Sequence, residues 1–86
     1  MPQISRFFGI IISMFYNEHS PPHFHATYGE FNAEISIKEL VIIYGILPPR
    51  ALGLVIEWAS QHKSELMDNW YLAEEKQVLK KIEPLT

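Results

Sequence analysis

The sequence predicts an α+β fold, in which a mostly antiparallel sheet of three to five strands is followed by a long helix or two helices packed on one face. Two observations lead to this prediction. The first half of the chain alternates apolar and polar residues between turn-forming glycines and prolines, which is typical of strands with one solvated face. After Pro48-Pro49, apolar residues recur every three or four positions, which is typical of a helix with one buried face.

The first predicted strand covers Phe7–Phe15, a run that is rich in β-branched and aromatic residues and too short for an isolated amphipathic helix. Gly9 inside this run is interpreted as a bulge. Near the other end of the chain, the apolar residues within Val78–Ile82 predict a short final strand.

A β-hairpin is predicted in the middle of the chain. Residues 23–28 and 31–37 both alternate, and the link Gly29-Glu30 is short enough to join antiparallel neighbours. In the second of these strands the odd positions are apolar and the even positions polar, so we expect one face of the sheet to contact solvent. A fourth strand is predicted over Glu39–Tyr44, ending at Gly45.

The helical region is expected to begin at Pro48-Pro49, because proline is tolerated in the first turn of a helix. The polar segment Ser60–Ser64 leaves two alternatives open, which are one helix of about seven turns and two shorter helices. Trp58 is interpreted as a core or interface anchor, and His62 as a partly buried packing residue. The apolar stripe consists of Leu52, Val55, Ala59, His62, Leu66, Trp70 and Ala73.

The length of 86 residues predicts a single domain over residues 1–86. Hydrophobic residues make up 48% of the chain and aromatic residues 13%, which is more than enough apolar material for one core. Small domains are often only marginally stable by themselves. We therefore expect part of the apolar surface to contact a partner protein or a second copy of the chain.

The absence of cysteine excludes a disulfide framework and a cysteine-based zinc site, and it favours a reducing cytoplasm. No apolar stretch approaches the about 20 residues that a membrane helix needs, so no contact with a membrane is expected. Ten acidic residues against seven basic ones give a net charge of -3, which provides no general attraction to nucleic acid. Nucleic-acid binding would therefore need a local basic patch.

Three of the four histidines lie around Pro21-Pro22. His23 and His25 are two positions apart on a predicted strand, so their imidazoles leave the same face, about 6 to 7 Å apart at the base. Phe24 between them is expected to point into the core. The two prolines keep the preceding stretch extended, which returns His19 toward the start of this strand. The sequence therefore predicts that three imidazoles converge.

Convergent imidazoles support three kinds of chemistry: binding of a divalent metal such as Zn, Ni or Cu, general acid-base catalysis near neutral pH, and contact with an anionic group. A metal site would use His19, His23 and His25, with Glu18 or Glu34 as an alternative carboxylate ligand.

Acid-base catalysis without a metal, as in RNA cleavage, makes a different demand on the sequence. It needs a cation beside the developing charge of the phosphate, and Arg6 and Arg50 are the candidates. Histidine pairs on exposed strand faces also occur without any function. The residue types and their spacing do not decide between metal binding, metal-free catalysis, contact with an anion and the absence of a function.

The most specific motif in the chain is the string Pro21-Pro22-His23-Phe24-His25-Ala26, which follows His19. The other segments that carry a family resemblance are Met1-Pro2-x-Ile4-Ser5-Arg6-Phe7-Phe8-Gly9-Ile10, Leu47-Pro48-x-Arg50-Ala51-Leu52, Glu57-Trp58-Ala59, Asn69-Trp70 and Ile82-Glu83-Pro84-Leu85. With these segments, the sequence resembles a bacterial family known as domain-of-unknown-function family 4160 nearly from end to end.

The resemblance implies a genetic context for the chain. Members of the family are small bacterial proteins that are frequently encoded beside a second small protein, of unknown-function family 2442, in two-gene modules of toxin-antitoxin type. By this resemblance we expect the chain to be the toxin-like member, with the small second protein as its partner. The resemblance also implies that the candidate site consists of Arg6, His19, His23, His25 and Arg50.

Overall fold

The computed structural model describes residues 2–86, so Met1, the first residue of the N-terminal matching segment, lies outside the described residues. Residues 2–86 form five strands followed by two helices. The strands are β1 (Gln3–Phe7), β2 (Ile10–Ser13), β3 (His23–Tyr28), β4 (Phe31–Ser36) and β5 (Ile42–Ile46), and the helices are α1 (Pro49–Ser60) and α2 (Lys63–Glu74). Neither of these helices combines the length and the apolar character that crossing a membrane requires.

The strands form one sheet, in which each strand pairs antiparallel with the next along the chain, in the order β1-β2-β3-β4-β5. The predicted α+β class, an antiparallel sheet followed by helices, is confirmed. Residues directly opposite each other in neighbouring strands point to the same side of a sheet, so the register assigns each side chain to a face. One face carries the buried residues Ile10, Ile12, Phe24, Ala26, Ala33 and Ile35.

Trp58 of α1 packs on this apolar face. The centroid of its ring system lies 5.3 Å from that of Phe7 and 6.0 Å from that of Phe24, and the side chain is fully buried. The indole Nε1–H donates to the backbone carbonyl of Glu83 at 2.8 Å, so its polar atom is also satisfied. Trp58 therefore joins α1, the sheet and the C-terminal segment, in agreement with its interpretation as a core anchor.

The prediction of one strand over Phe7–Phe15 is wrong. β1 ends at Phe7 and β2 begins at Ile10, with Phe8 and Gly9 forming a two-residue turn between them. Both turn residues have positive φ, 50° for Phe8 and 80° for Gly9, which is the pattern of tight hairpin turns whose twist matches that of the sheet. Gly9 thus marks a turn and not a bulge. The turn was hidden because phenylalanine is uncommon at positive φ.

The predicted hairpin through Gly29-Glu30 is confirmed. Tyr28 lies opposite Phe31, and the pairing continues along both strands as far as His23 and Ser36. β4 ends at Ser36, one residue before the end of the predicted strand.

The fourth predicted strand, Glu39–Tyr44, is displaced along the chain and corresponds to β5. Gly45 lies inside this strand, so the prediction that it ends the strand is wrong. Its φ is 87°, and a Cβ atom at this position would lie 2.3 Å from the carbonyl oxygen of Asn32. Glycine is required here because the backbone of β4 passes too close for a side chain.

The helical region forms two separate helices, which confirms the second of the two alternatives. α1 ends at Ser60 and α2 begins at Lys63, within the polar segment identified in the sequence. The N–H of Gln61 donates to the carbonyl of Trp58 at 3.1 Å, which closes the last turn of α1. His62 at the break is half-buried against Trp58, with ring centroids 5.5 Å apart, and it contacts the carboxylate of Glu65.

The predicted final strand over Val78–Ile82 does not form. This segment is held instead by isolated contacts, and two of them join it to β1. The N–H of Ile82 donates to the carbonyl of Ile4 at 2.8 Å, and the amine of Lys81 donates to the carbonyl of Gln3 at 2.6 Å. The buried amide of Asn69 in α2 bonds the backbone of Lys80 twice, each time at 2.9 Å. The apolar residues of the segment therefore did not indicate strand pairing, and Val78 itself is exposed.

We expect Gly45→Ala to lower the free energy of unfolding by more than about 1 kcal/mol, because the added Cβ meets the Asn32 carbonyl and φ is positive. The matched control is Gly53→Ala in α1, where an added Cβ meets no atom within 4 Å apart from its chain neighbours and the backbone of its own helix. This control is expected to raise the free energy of unfolding by up to about 1 kcal/mol, since alanine favours helix over glycine. Urea unfolding followed by circular dichroism measures both, and equal effects would contradict the close strand contact.

Candidate metal centre

The pairing of β3 with its neighbours places both of its histidines on the face opposite to Phe24. His25 lies between Ser13 of β2 and Glu34 of β4. His23 is two residues away on the same strand and therefore points to the same side. The side chain of His25 is half-buried, whereas His23 is only 5% exposed.

The segment between β2 and β3, residues 14–22, brings Glu18 to these histidines. The segment contains a cis peptide bond between Ser20 and Pro21. The Nε2–H of His25 donates to Oε1 of Glu18 at 2.6 Å, and Nε2 of His23 lies 3.2 Å from the same oxygen. One carboxylate oxygen thus faces both imidazoles.

Both ring nitrogens of His23 face hydrogen-bond acceptors. Its Nδ1–H donates to the carbonyl of Pro21 at 2.8 Å, while Nε2 faces Oε1 of Glu18 at 3.2 Å and Oε1 of Glu34 at 3.6 Å. A neutral imidazole carries hydrogen on one nitrogen only, so a neutral ring with its hydrogen on Nδ1 leaves a lone pair against the carboxylates. A proton or a metal ion at Nε2 removes this repulsion.

Glu18, His23 and His25 together form a group of metal-ligand type, whose ligand atoms all lie within 4.8 Å of one another. Two imidazole nitrogens and a carboxylate oxygen are a set that binds zinc and other divalent ions of the first transition row. The bond from His23 Nδ1–H to a backbone carbonyl is the outer contact that metal-binding histidines usually make, because it fixes which nitrogen faces the ion.

Two aromatic side chains pack against the imidazole rings. Trp70 of α2 lies 5.2 Å from His23, and Phe15 meets His25 edge-on at 4.4 Å with an interplanar angle of 88°. Packing of this kind restricts rotation of the rings, so their nitrogens are held in one orientation.

A cavity of about 300 Å³ adjoins the group, and Glu18 belongs to its wall. The same two aromatic residues that contact the histidines also line it. The lining residues are Phe15, Asn17, Glu18, Trp70, Ala73 and Glu74.

The carboxyl group of Glu18 has a lowered pKa. Burial disfavours its charged form and by itself raises the pKa, but hydrogen bonds from His25 and His23, with the positive charge of these rings when protonated, outweigh that effect. The pKa therefore lies below the ordinary value of 4.5, and the group is ionised at neutral pH, as a metal ligand must be.

The candidate metal centre lies within the part of the chain that matches a known protein family. Residues 9–71 match the model of a family described as a domain of unknown function, DUF4160, and this range covers more than half of the chain. The chain belongs to this family. The region of the DUF4160 match contains Glu18, His23, His25 and both aromatic neighbours, so the whole group lies inside it. No curated protein and no solved structure matches the chain.

In this DUF4160 member, the carboxylate that accompanies His23 and His25 is Glu18, one of the two alternatives named from the sequence. His19, which the sequence grouped with the other histidines, is exposed and does not belong to the set of ligand atoms that converge. The two prolines led to the prediction that this segment lies near β3, but they did not indicate which of its side chains faces the strand.

Arg50 lies near the far end of β3 from the group, whereas Arg6 is on the same face of the sheet as the histidines but two strands away. Arg50, in the first turn of α1, lines a different cavity together with Tyr28. Tyr28 is at the opposite end of β3 from His23, about 16 Å along the strand. Arg6 is exposed in β1, two strands from β3. Neither guanidinium has a described contact with the histidines of the kind that metal-free RNA cleavage requires.

Sequence reasoning did not assign Phe15, Trp70 or the carbonyl of Pro21 to the site. Trp70 was identified only as part of the apolar stripe of the helix, and a contact across more than 40 positions of the chain leaves no local signal. The short spacing from Pro21 to His23 was visible, but its carbonyl is aimed by a backbone geometry that residue types do not reveal.

We expect the Glu18 carboxyl to titrate below 4.5, and the double variant His23→Ala/His25→Ala to shift its titration upward, because only the effect of burial then remains. A carboxyl whose pKa is lower in the folded state contributes stability that is fully present above pH 4.5 and is lost as the pH falls through the folded value. Carbon-13 NMR of the glutamate carboxyls measures the titration. His62→Gln is the control that leaves Glu18 unchanged, and a midpoint above 4.5 in the wild type would contradict the assignment.

Proposed function

We propose that this domain binds one divalent transition-metal ion, such as Zn, Ni or Cu, through Glu18, His23 and His25. The observation that carries the proposal is the convergence of two imidazole nitrogens and one carboxylate oxygen within 4.8 Å of one another. The acceptors on both sides of the His23 ring add support, because an ion at Nε2 satisfies the carboxylates while Nδ1–H keeps its bond to Pro21.

The proposed centre is of the catalytic type. Structural zinc sites use four protein ligands, whereas catalytic sites use three and keep a position for water or substrate. An ion held by Glu18, His23 and His25 would supply Lewis-acid chemistry suited to hydrolysis. Glu34, with Oε1 at 3.6 Å from Nε2 of His23, is a further carboxylate that would serve as a general base beside the ion. The reaction class we assign is therefore metal-assisted hydrolysis.

The first test of this function is zinc binding by the untagged protein. We expect one zinc ion per chain in the wild type, and an affinity at least about tenfold lower in Glu18→Gln and in His25→Gln, since each variant removes a ligand. Isothermal titration calorimetry gives the affinity, and elemental analysis gives the stoichiometry. The matched control is His62→Gln, which removes a histidine that pairs with Glu65 elsewhere in the chain.

The outcomes of this test separate the possible ligand sets. Absence of zinc binding in the wild type, or an equal loss in His62→Gln, would overturn the proposed centre. The variant His19→Gln tests whether the third ligand is Glu18, as in the structure, or His19, as expected from the sequence. We expect this variant to retain zinc, because His19 is exposed and outside the convergent group.

We propose protein interaction as a second function, with β5 as the contact surface. The partner is the small protein of unknown-function family 2442, in a two-gene module of toxin-antitoxin type in which this chain is the toxin-like member. The supporting observation is an uncharged strand at the edge of the sheet, where Tyr44 is 71% and Ile46 is 65% exposed. An exposed apolar edge of this kind is a template for a strand from another chain.

The two edges of the sheet differ in a way that supports this second function. The outer side of β1 receives the N–H of Ile82, and the amine of Lys81 donates to the carbonyl of Gln3 at 2.6 Å. Within residues 2–86, no segment other than β4 pairs with β5. Of the two edges, β5 is therefore the less occupied, which favours it as the surface for a partner.

We expect Ile46→Lys to weaken association with the co-expressed partner by at least about tenfold, because a lysine on an edge strand opposes strand addition. The matched control is Val78→Lys, since Val78 is 86% exposed but belongs to the C-terminal segment. Size-exclusion chromatography with light scattering measures the complex and separates a 1:1 pair from a homodimer. Equal losses in both variants, or no complex in the wild type, would argue against the β5 surface.

A further inference from the structure

A second cavity, of about 450 Å³, lies at the opposite end of β3 from His23. Its wall includes Phe8 of the turn between β1 and β2, Tyr28 at the end of β3 and Arg50 in the first turn of α1. Tyr28 is about 16 Å along the strand from His23. This cavity is therefore separate from the proposed metal centre, and neither proposed function uses it.

Two aromatic side chains of this cavity are accessible to a ligand. Phe8 is 60% exposed and Tyr28 is 40% exposed, whereas Ile10 in the same wall is fully buried. The ring of Tyr28 lies against Gly9, where an added Cβ would be 3.4 Å from the ring. Exposed rings are stabilised when an apolar body covers them. The cavity thus offers aromatic surface that the fold leaves in contact with water.

The backbone of Phe8 indicates that its ring does more than support the fold. The ring packs edge-on against Phe7, with centroids 6.5 Å apart, but stays mostly outside the core. Its φ is 50°, in the left-handed region that phenylalanine rarely adopts. Hairpin turns with two positive φ values prefer Asn-Gly, whereas this chain has Phe8-Gly9. An exposed aromatic residue kept in an unfavourable conformation points to a contact outside the chain.

Arg50 gives the cavity a single positive charge. None of the seven lining residues is acidic, and within residues 2–86 the guanidinium of Arg50 forms no salt bridge. Glu30, in the turn after Tyr28, is exposed and does not line the cavity. Glu57 lies about 10 Å farther along α1 than Arg50 and does not line it either. A ligand with one negative charge is therefore balanced by the cavity.

We propose that this cavity binds a small organic carboxylate with a flat apolar body. The guanidinium fork of Arg50 pairs with both carboxylate oxygens, and the body contacts the rings of Phe8 and Tyr28. A doubly charged phosphate fits less well, because one arginine would leave a charge uncompensated against mainly apolar walls. The volume of about 450 Å³ lies within the range of small-molecule sites.

The experiment uses 3-phenylpropionate as the probe and phenethylammonium as its counterpart of opposite charge. Nitrogen-15 NMR follows the full-length protein in EDTA, so that no metal ion can hold the carboxylate. We expect the carboxylate to shift the backbone signal of Gly9 and the Nε–H signal of Arg50, and to leave the indole signal of Trp70 at the other end of the sheet unchanged. The ammonium probe is expected to bind at least about fivefold more weakly.

The two arginines of the chain supply matched variants. Arg50→Gln is expected to weaken binding of 3-phenylpropionate by at least about fivefold, because it removes the positive charge and the fork. Arg6→Gln causes the same change in net charge. Arg6 is exposed and lies on the other face of the sheet from Ile10, so we expect this control to leave binding unchanged.

The variant Phe8→Asn separates a contact with the ligand from a role in the fold. It creates the Asn-Gly pair that this turn prefers, so we expect it to unfold at an equal or higher urea concentration than the wild type. Loss of the ring is expected to weaken binding of 3-phenylpropionate by at least about threefold. Unfolding at a lower urea concentration, or unchanged binding, would contradict the assigned role of Phe8.

The outcomes for this cavity do not depend on those for the metal centre. Selective carboxylate binding in EDTA supports the carboxylate site even if the protein has no affinity for zinc. Equal binding of the two probes, equal losses in Arg50→Gln and Arg6→Gln, or no shift of the Gly9 and Arg50 signals would overturn it. Zinc binding together with any of these three results would leave the metal centre standing alone.

Discussion

The register of β3 is the constraint on which both the core and the candidate centre depend. Phe24 lies opposite Ile35 and packs against Trp58, while the histidines on either side of it point to the other face. A shift of the pairing by one residue would place the phenylalanine in the polar group and the imidazoles in the apolar core. Burial of one aromatic ring thus specifies the position of two polar ones, and the hydrophobic effect, which has no directional preference of its own, orients His23 and His25.

The position of α2 depends on a part of the chain that has no regular structure. The amide of Asn69 holds the backbone of Lys80 with two hydrogen bonds, and the carbonyl of Glu83 accepts the indole hydrogen of Trp58. These contacts fasten both helices to the C-terminal segment. Since Trp70 is the next residue after Asn69 and packs on His23, the end of the chain helps to set the orientation of an imidazole at the start of β3.

The alternation of apolar and polar residues made two features predictable from the sequence: the central hairpin and the common face of the two histidines. A period of two indicates a strand, and it also shows which side chains share a face of that strand. It could not predict the turn at Phe8, where a residue type that avoids positive φ adopts it within a tight hairpin. It also could not decide between His19 and Glu18, since neighbouring residues in an irregular segment have no fixed orientation. The contact between Trp70 and His23 could not be predicted for a third reason, because it depends on how α2 packs against β3 in the folded chain.

The unequal edges of the sheet bear on how far the chain can assemble. Strand-by-strand addition of identical molecules continues indefinitely only when each molecule offers two edges that can accept a neighbour. Here the C-terminal segment occupies part of one edge through Ile82, whereas β5 at the other edge pairs only with β4 within residues 2–86. Association of two copies through β5 would occupy this edge in both of them. The bond from Ile82 to Ile4 takes one acceptor from the β1 edge, and it thereby disfavours the addition of a further strand there.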